Sequence, residues 1–142
     1  MTSHALVIED DKLYMLLVCA TLEREGWHVD VAVNGRAGMA LLRERSYDAV
    51  ITDIVMPEQE GIETIRAIRR EFPKTRIVAM SSGSGRPDMD YLQLARAFGA
   101  HQTIEKPFTP GALSACVRAA LIGAAAGGPS GDVARPGSDG SS

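Results

Sequence analysis

Four short apolar runs in this chain end in residues able to do chemistry. Ala5-Leu6-Val7-Ile8 runs into Glu9-Asp10-Asp11, and Ala49-Val50-Ile51-Thr52 runs into Asp53. Ile77-Val78-Ala79-Met80 runs into Ser81-Ser82, and a short segment from Gln102 to Glu105 leads into Lys106. If these ends meet, Glu9, Asp10 and Asp53 form a group of three carboxylates. Like charges at close range raise one another's pKa unless something neutralises them. A divalent cation is the usual remedy, and an all-oxygen donor set favours Mg²⁺, or Mn²⁺, over zinc. Lys106 reaches the same place. Three carboxylates, one ammonium and one Mg²⁺ bring the local charge near zero. Such a site suits phosphoryl transfer, which needs a positioned nucleophile and cations on the equatorial oxygens. Asp53 is then the nucleophile. Mg²⁺, Lys106, the Ser81 hydroxyl and backbone N–H groups near Ser82 stabilise the transferred charge. Each residue alone has a plainer reading. Glu9 and Asp10 can be solvated or cap the next helix, as Asp11 can; Ser81 suits a turn; Lys106 suits a solvated surface. Four together at the ends of four runs favour a shared site.

The elements that must position these residues alternate along the chain. The segment 5–9 reads as a buried strand. Leu13, Leu16, Leu17 and Ala20 follow helical spacing, with Gly26 as the stop. Residues 28–33 alternate polar and apolar, which suits a strand with one face or edge exposed. Ala37, Ala40 and Leu41 mark a second helix, residues 48–53 a third strand, and Ile62, Ile65, Ile68 and Phe72 a third helix closed by Pro73. Residues 76–81 form a fourth strand, 89–98 a helix stopped by Gly99, and 102–105 a last strand. Thr109-Pro110 reads as an N-cap followed by proline at the first helical position. Leu113, Cys116, Val117, Ala120 and Leu121 supply the last stripe. This pattern predicts an α/β fold: a (βα)5 doubly wound, parallel, five-stranded sheet. The half-exposed second strand belongs at an edge, giving order 2-1-3-4-5 with strands 1 and 3 flanking the switch point. Ligands bind there, beyond the carboxyl ends of the strands.

Composition narrows the function classes. The chain has 142 residues, 45% of them apolar, and a net charge of −3. That balance gives no general attraction to nucleic acid or anionic lipid. No apolar run approaches the roughly 18 residues of a membrane span, and the start lacks the pattern of a signal peptide. A cytoplasmic protein with no membrane partner is expected. Cys19 and Cys116 read as reduced core thiols. His4, His28 and His101 lack metal-ligand spacing and read as surface or strand-edge residues. Residues 3–122 form the expected folded unit. Residues 123–142 hold almost only Gly, Ala, Pro, Ser, Asp and Arg, and read as a disordered tail.

The motifs resemble the receiver domain of two-component response regulators. The resemblance rests on Val7-Ile8-Glu9-Asp10-Asp11, on Asp53-Ile54-Val55-Met56-Pro57 with Gly61, on Ser81-Ser82 and on Lys106-Pro107-Phe108. It covers residues 3–122 and implies a CheY-like, flavodoxin-like fold. It implies that Asp53 accepts a phosphoryl group from a histidine kinase or a histidine phosphotransfer protein. It implies Mg²⁺ on Asp10 and Asp53, with Glu9 acting through water and Val55 adding its backbone carbonyl. Ser81 takes the place of the family's switch hydroxyl, and Ser82 and Lys106 help hold the phosphoryl group. The family's Lys–Pro bond is usually cis, so a cis Lys106–Pro107 bond is expected. The helix after strand 1 and the loop after strand 5 commonly dock the kinase, which draws attention to Tyr14, Met15 and Phe108. Phe108 alternatively packs under the last helix.

The resemblance implies a stand-alone switch that catalyses only its own phosphorylation and dephosphorylation and then changes its binding to an output protein. No helix-turn-helix or basic segment follows residue 122, so DNA binding is not expected. The rival reading is an Mg²⁺-dependent aspartyl-phosphate hydrolase or phosphotransferase acting on small molecules. Against it, Val55 stands two residues after Asp53, where that chemistry wants a general acid. The chain departs from the family at Thr103. That position, three before the lysine, often carries an aromatic switch residue. The glycine- and serine-rich segment Ser82-Gly83-Ser84-Gly85-Arg86-Pro87 is the expected alternative route for the signal.

Overall fold

A computed structural model describes residues 2–54, 60–81 and 91–125. Strands and helices alternate as β1 (His4–Ile8), α1 (Lys12–Arg24), β2 (His28–Ala32), α2 (Gly35–Glu44) and β3 (Ala49–Asp53). They continue as α3 (Glu60–Glu71), β4 (Arg76–Ser81), α4 (Tyr91–Phe98), β5 (Gln102–Glu105) and α5 (Pro110–Ala125). The five strands pair in parallel in the order β2-β1-β3-β4-β5, as expected.

Alternation along the buried strands builds two cores. Leu6, Ile8, Val50, Ile77 and Ala79 point to one face, where they meet Met39 and Leu42 of α2, Ile65 and Ile68 of α3, and Ala95 of α4. Ala5, Val7, Ala49, Ile51, Val78 and Met80 point to the other, where they meet Val18 and Leu22 of α1 and Leu113, Val117 and Ala120 of α5. Each fully buried aliphatic side chain contributes about 1.5–3 kcal/mol. Both faces are covered, so the inner strands read as continuous apolar runs. β2 has one neighbour and keeps exposed positions, including Val31.

Local signals set the element ends. Asp11 caps α1 by accepting from the Leu13 and Tyr14 N–H groups, Asn34 caps α2 through Ala37 N–H, and Thr109 caps α5 through Ala112 N–H. Gly26 and Gly99 follow α1 and α4 with φ of 96° and 128°, a region that L side chains rarely adopt.

Three details differ from the sequence expectations. Leu13, Leu16 and Ala20 are exposed, and the buried positions of α1 are Val18, Thr21 and Leu22. Almost every residue from Leu13 to Leu22 is apolar, so helical spacing fits more than one face. The first strand ends at Ile8, which leaves Glu9 just beyond the sheet. α5 runs to Ala125, so residues 123–125 continue the helix rather than begin a tail.

Candidate functional site

The register brings the acidic groups together. Ile8 lies beside Thr52 across β1 and β3, so the chain leaves the sheet with Glu9 next to Asp53. Asp53 lies beside Met80, and Ser81 beside Glu105, which places Lys106 at the same edge. Carboxylate oxygens of Glu9, Asp10 and Asp53 lie within 4.8 Å of one another. Glu9, Asp53 and Ser81 are buried, whereas Asp10 is exposed. The expected convergence of Glu9, Asp10, Asp53, Ser81 and Lys106 is therefore present. Val55 and Ser82, and the segment 82–87, lie outside the described residues.

Glu9 has the most constrained position. Its Oε1 accepts from Lys106 Nζ at 2.7 Å, and its Oε2 accepts from Asp11 N–H at 2.9 Å. Burial pushes the Glu9 carboxyl above the ordinary carboxylate range, and the Asp53 charge adds to that shift. The hydrogen bonds from Lys106 and Asp11 N–H oppose it. Lys106 Nζ also lies 3.7 Å from Asp53 Oδ2. Its backbone N–H donates to the Ser81 carbonyl at 2.7 Å, tying the end of β5 to that of β4. The Lys106–Pro107 bond is cis.

The donor set fits a hard cation. All three candidate ligands offer oxygen, no His or Cys joins them among the described residues, and one carboxylate faces water. Both Glu9 oxygens already have partners, whereas the Asp10 side chain is exposed to water.

Gly61 lets α3 approach the end of β3 closely. A Cβ there would lie 2.4 Å from Ile54 Cα and 2.8 Å from the Asp53 carbonyl oxygen. The N-terminus of α3 therefore packs directly on the backbone at Asp53.

Sequence reasoning missed two features. Tyr14, singled out above only as a docking residue, is half-buried and lays its ring over Lys106, with Nζ 4.3 Å from the centroid. An aromatic one turn beyond an acidic run was the available signal. Phe108 both joins the core under α5 and meets Tyr14, with ring centroids 5.6 Å apart. His101, read as a surface or strand-edge residue, does lie immediately before β5, and it also straps β5 to β4. Its ring Nδ1 accepts from Ile77 N–H, and its backbone N–H donates to the Ile77 carbonyl. Cys19 and Cys116 are free and half-buried, as expected.

An acid-lined switch point at the carboxyl edge of a parallel sheet defines a class of α/β proteins that bind a charged ligand there. A model of the response regulator receiver domain matches residues 5–118, and the chain belongs to that family, whose members are phosphorylation-controlled switches of two-component signalling. It is 34% identical over 116 residues to the transcriptional regulatory protein CpxR of Escherichia coli, covering 82% of this chain and 48% of CpxR. It is 27% identical to the aerobic respiration control sensor protein ArcB of Escherichia coli, covering 81% of this chain and 15% of ArcB. The chain thus spans half or less of the curated relatives it matches. Among solved structures, the chemotaxis response regulator CheY4 of Vibrio cholerae superposes with a TM-score of 0.75 at 26% identity, covering 85% of this chain and all of that one. A response regulator from Thermotoga maritima gives 0.76 at 28% identity, covering 86% and 99%. No helix among the described residues is long and apolar enough to cross a membrane.

Proposed function

We infer that Asp53 is the phosphoacceptor of this receiver, and that its phosphorylation changes how the chain binds an output protein. The observation that carries this reading is the Lys106 ammonium between Glu9 and Asp53, beside the exposed carboxylate of Asp10. An Asp53 carboxylate oxygen attacks the phosphorus of a phosphohistidine, the P–N bond breaks, and the imidazole leaves with a proton from solvent. Asp10 and Asp53 would hold Mg²⁺, with Glu9 contributing through water and Val55 through its carbonyl. The bound cation would neutralise charge on the phosphoryl oxygens. Lys106 Nζ neutralises a further oxygen, and the Ser81 hydroxyl and Ser82 N–H complete the cradle. The donor is a histidine kinase or a histidine phosphotransfer protein, which places the reaction in the cytoplasm. The chain acts only on its own phosphoryl group. A net charge of −3 supports a protein partner over nucleic acid.

The test is incubation with acetyl phosphate and Mg²⁺, followed by intact mass measurement. Wild type should gain one phosphoryl group, and Asp53→Asn none. An unmodified wild-type mass, or equal modification of both proteins, overturns the assignment. A chromogenic phosphate ester should not be turned over by either protein.

A further inference from the structure

Lys106 is enclosed from three directions. Glu9 Oε1 lies 2.7 Å from Nζ, Asp53 Oδ2 lies 3.7 Å away, and the Tyr14 ring centroid lies at 4.3 Å. The lysine side chain keeps only 9% of its exposure. A cation over an aromatic face is attracted by the ring quadrupole, more strongly as water is excluded. Tyr14 therefore closes the site over the ammonium. Its ring meets Phe108 at 5.6 Å and 54°. The fold builds this contact in: α1 and α5 cover the same face of the sheet, so the first turn of α1 faces the segment that links β5 to α5. At Thr103, by contrast, β5 carries no ring, and the Thr103 carbonyl accepts from Cys116 Sγ at 3.6 Å.

We propose that Tyr14 is a positioning residue for Lys106, and that the Tyr14–Phe108 ring pair carries the position of the lysine to the first turn of α1 and the loop before α5. The proposal rests on the reading of Asp53 as the phosphoacceptor. A phosphoryl group on Asp53 places new negative charge beside Nζ and draws the ammonium off Glu9. The same movement changes its place over the Tyr14 ring, and the ring shifts against Phe108. Aromatic relay then starts from α1 rather than from β5, where Thr103 has nothing to swing.

The test uses the full chain labelled with 3-fluorotyrosine, with the signals of Tyr14, Tyr47 and Tyr91 assigned by single Tyr→Phe substitutions. In metal-free protein, Lys106→Met should move the Tyr14 signal, because the cation over its ring is gone. Adding Mg²⁺ and beryllofluoride to wild type should move Tyr14 and leave Tyr47, whose hydroxyl donates to Asp30 at 2.6 Å, in place. Tyr14→Leu should slow phosphorylation by acetyl phosphate about fivefold, while Tyr14→Phe, which keeps the ring, should stay within about twofold. A Tyr14 signal indifferent to Lys106→Met, or equal rates for the Leu and Phe variants, overturns the positioning role. A shifted Asp53 amide with a still Tyr14 overturns the relay alone. An Asp53 amide that does not respond to beryllofluoride overturns the phosphoacceptor reading and the relay with it.

Discussion

At the scale of single residues, the site is held together by one lysine among acids. Glu9 is fully buried, and its nearest cation is Lys106 at 2.7 Å. Breaking a buried pair by removing one partner leaves a desolvated charge uncompensated. Lys106→Met should therefore lower stability by about 2–4 kcal/mol in metal-free buffer, with part of the loss restored by Mg²⁺; urea denaturation with and without the cation checks this. Asp53→Asn should act in the opposite sense. It removes a like charge beside Glu9 and should raise metal-free stability by about 1 kcal/mol, read as a higher urea midpoint. A destabilised Asp53→Asn protein would show that Asp53 supports the fold rather than straining it. Glu9, Asp10, Asp53, Ser81 and Lys106 were legible in the sequence because parallel strands deliver their carboxyl ends to one edge. The Tyr14 ring was not. Its place over Lys106 depends on how closely α1 and the loop before α5 approach, and local spacing carries no record of that.

At the scale of elements, close approaches and caps matter more than propensity. Gly61 lies against the backbone at Asp53 and Ile54, which cannot move aside without shifting Asp53. Gly61→Ala should cost about 1–3 kcal/mol and slow phosphorylation of Asp53, measured by urea unfolding and intact mass. Gly38 gives a contrast: the atoms nearest a Cβ there belong to side chains, Ile8 Cδ1 at 2.5 Å and Cγ1 at 2.9 Å, and not to the backbone. Gly38→Ala should leave the phosphorylation rate nearly unchanged. The His101 strap makes stability depend on pH. Its pKa is lowered to about 4, first by burial and then by the Arg76 and Arg69 charges. A neutral Nδ1 is needed to accept from Ile77 N–H. In the unfolded chain His101 takes up its proton near its ordinary value of 6.5, before the folded form does. Its stabilisation is thus complete above that pH and is lost as pH falls towards 4. After allowance for solvent screening we expect a loss of about 1–2 kcal/mol. Urea midpoints across this range should show the slope, and His101→Asn should flatten it. Strand positions were readable because buried apolar runs admit one register. The inward face of α1 was not, because Leu13 and Leu16 fit a helical stripe as well as Val18 and Leu22 do. The difference lies in which face the sheet covers.

At the scale of the whole molecule, two cores on opposite faces of one sheet hold an edge where three carboxylates meet. Anything that binds only the folded state stabilises it by mass action. Mg²⁺ at a hundred times its dissociation constant should add about 2.7 kcal/mol, and a chelator should remove that gain. Equal urea midpoints with and without Mg²⁺ would mean that the acidic cluster holds no cation. The strand order was legible because the half-exposed alternation of β2 fits only an edge. The direction of the elements has a practical consequence. All five strands are parallel, so β1 starts at the edge opposite the site. α5 leaves the carboxyl edge after β5 and runs back along the sheet, so its last turn also lies at the far side. A fluorescent reporter or surface tether attached at residue 2 or at residue 125 would therefore sit at the base of the molecule, at the opposite end of the strands from Asp53.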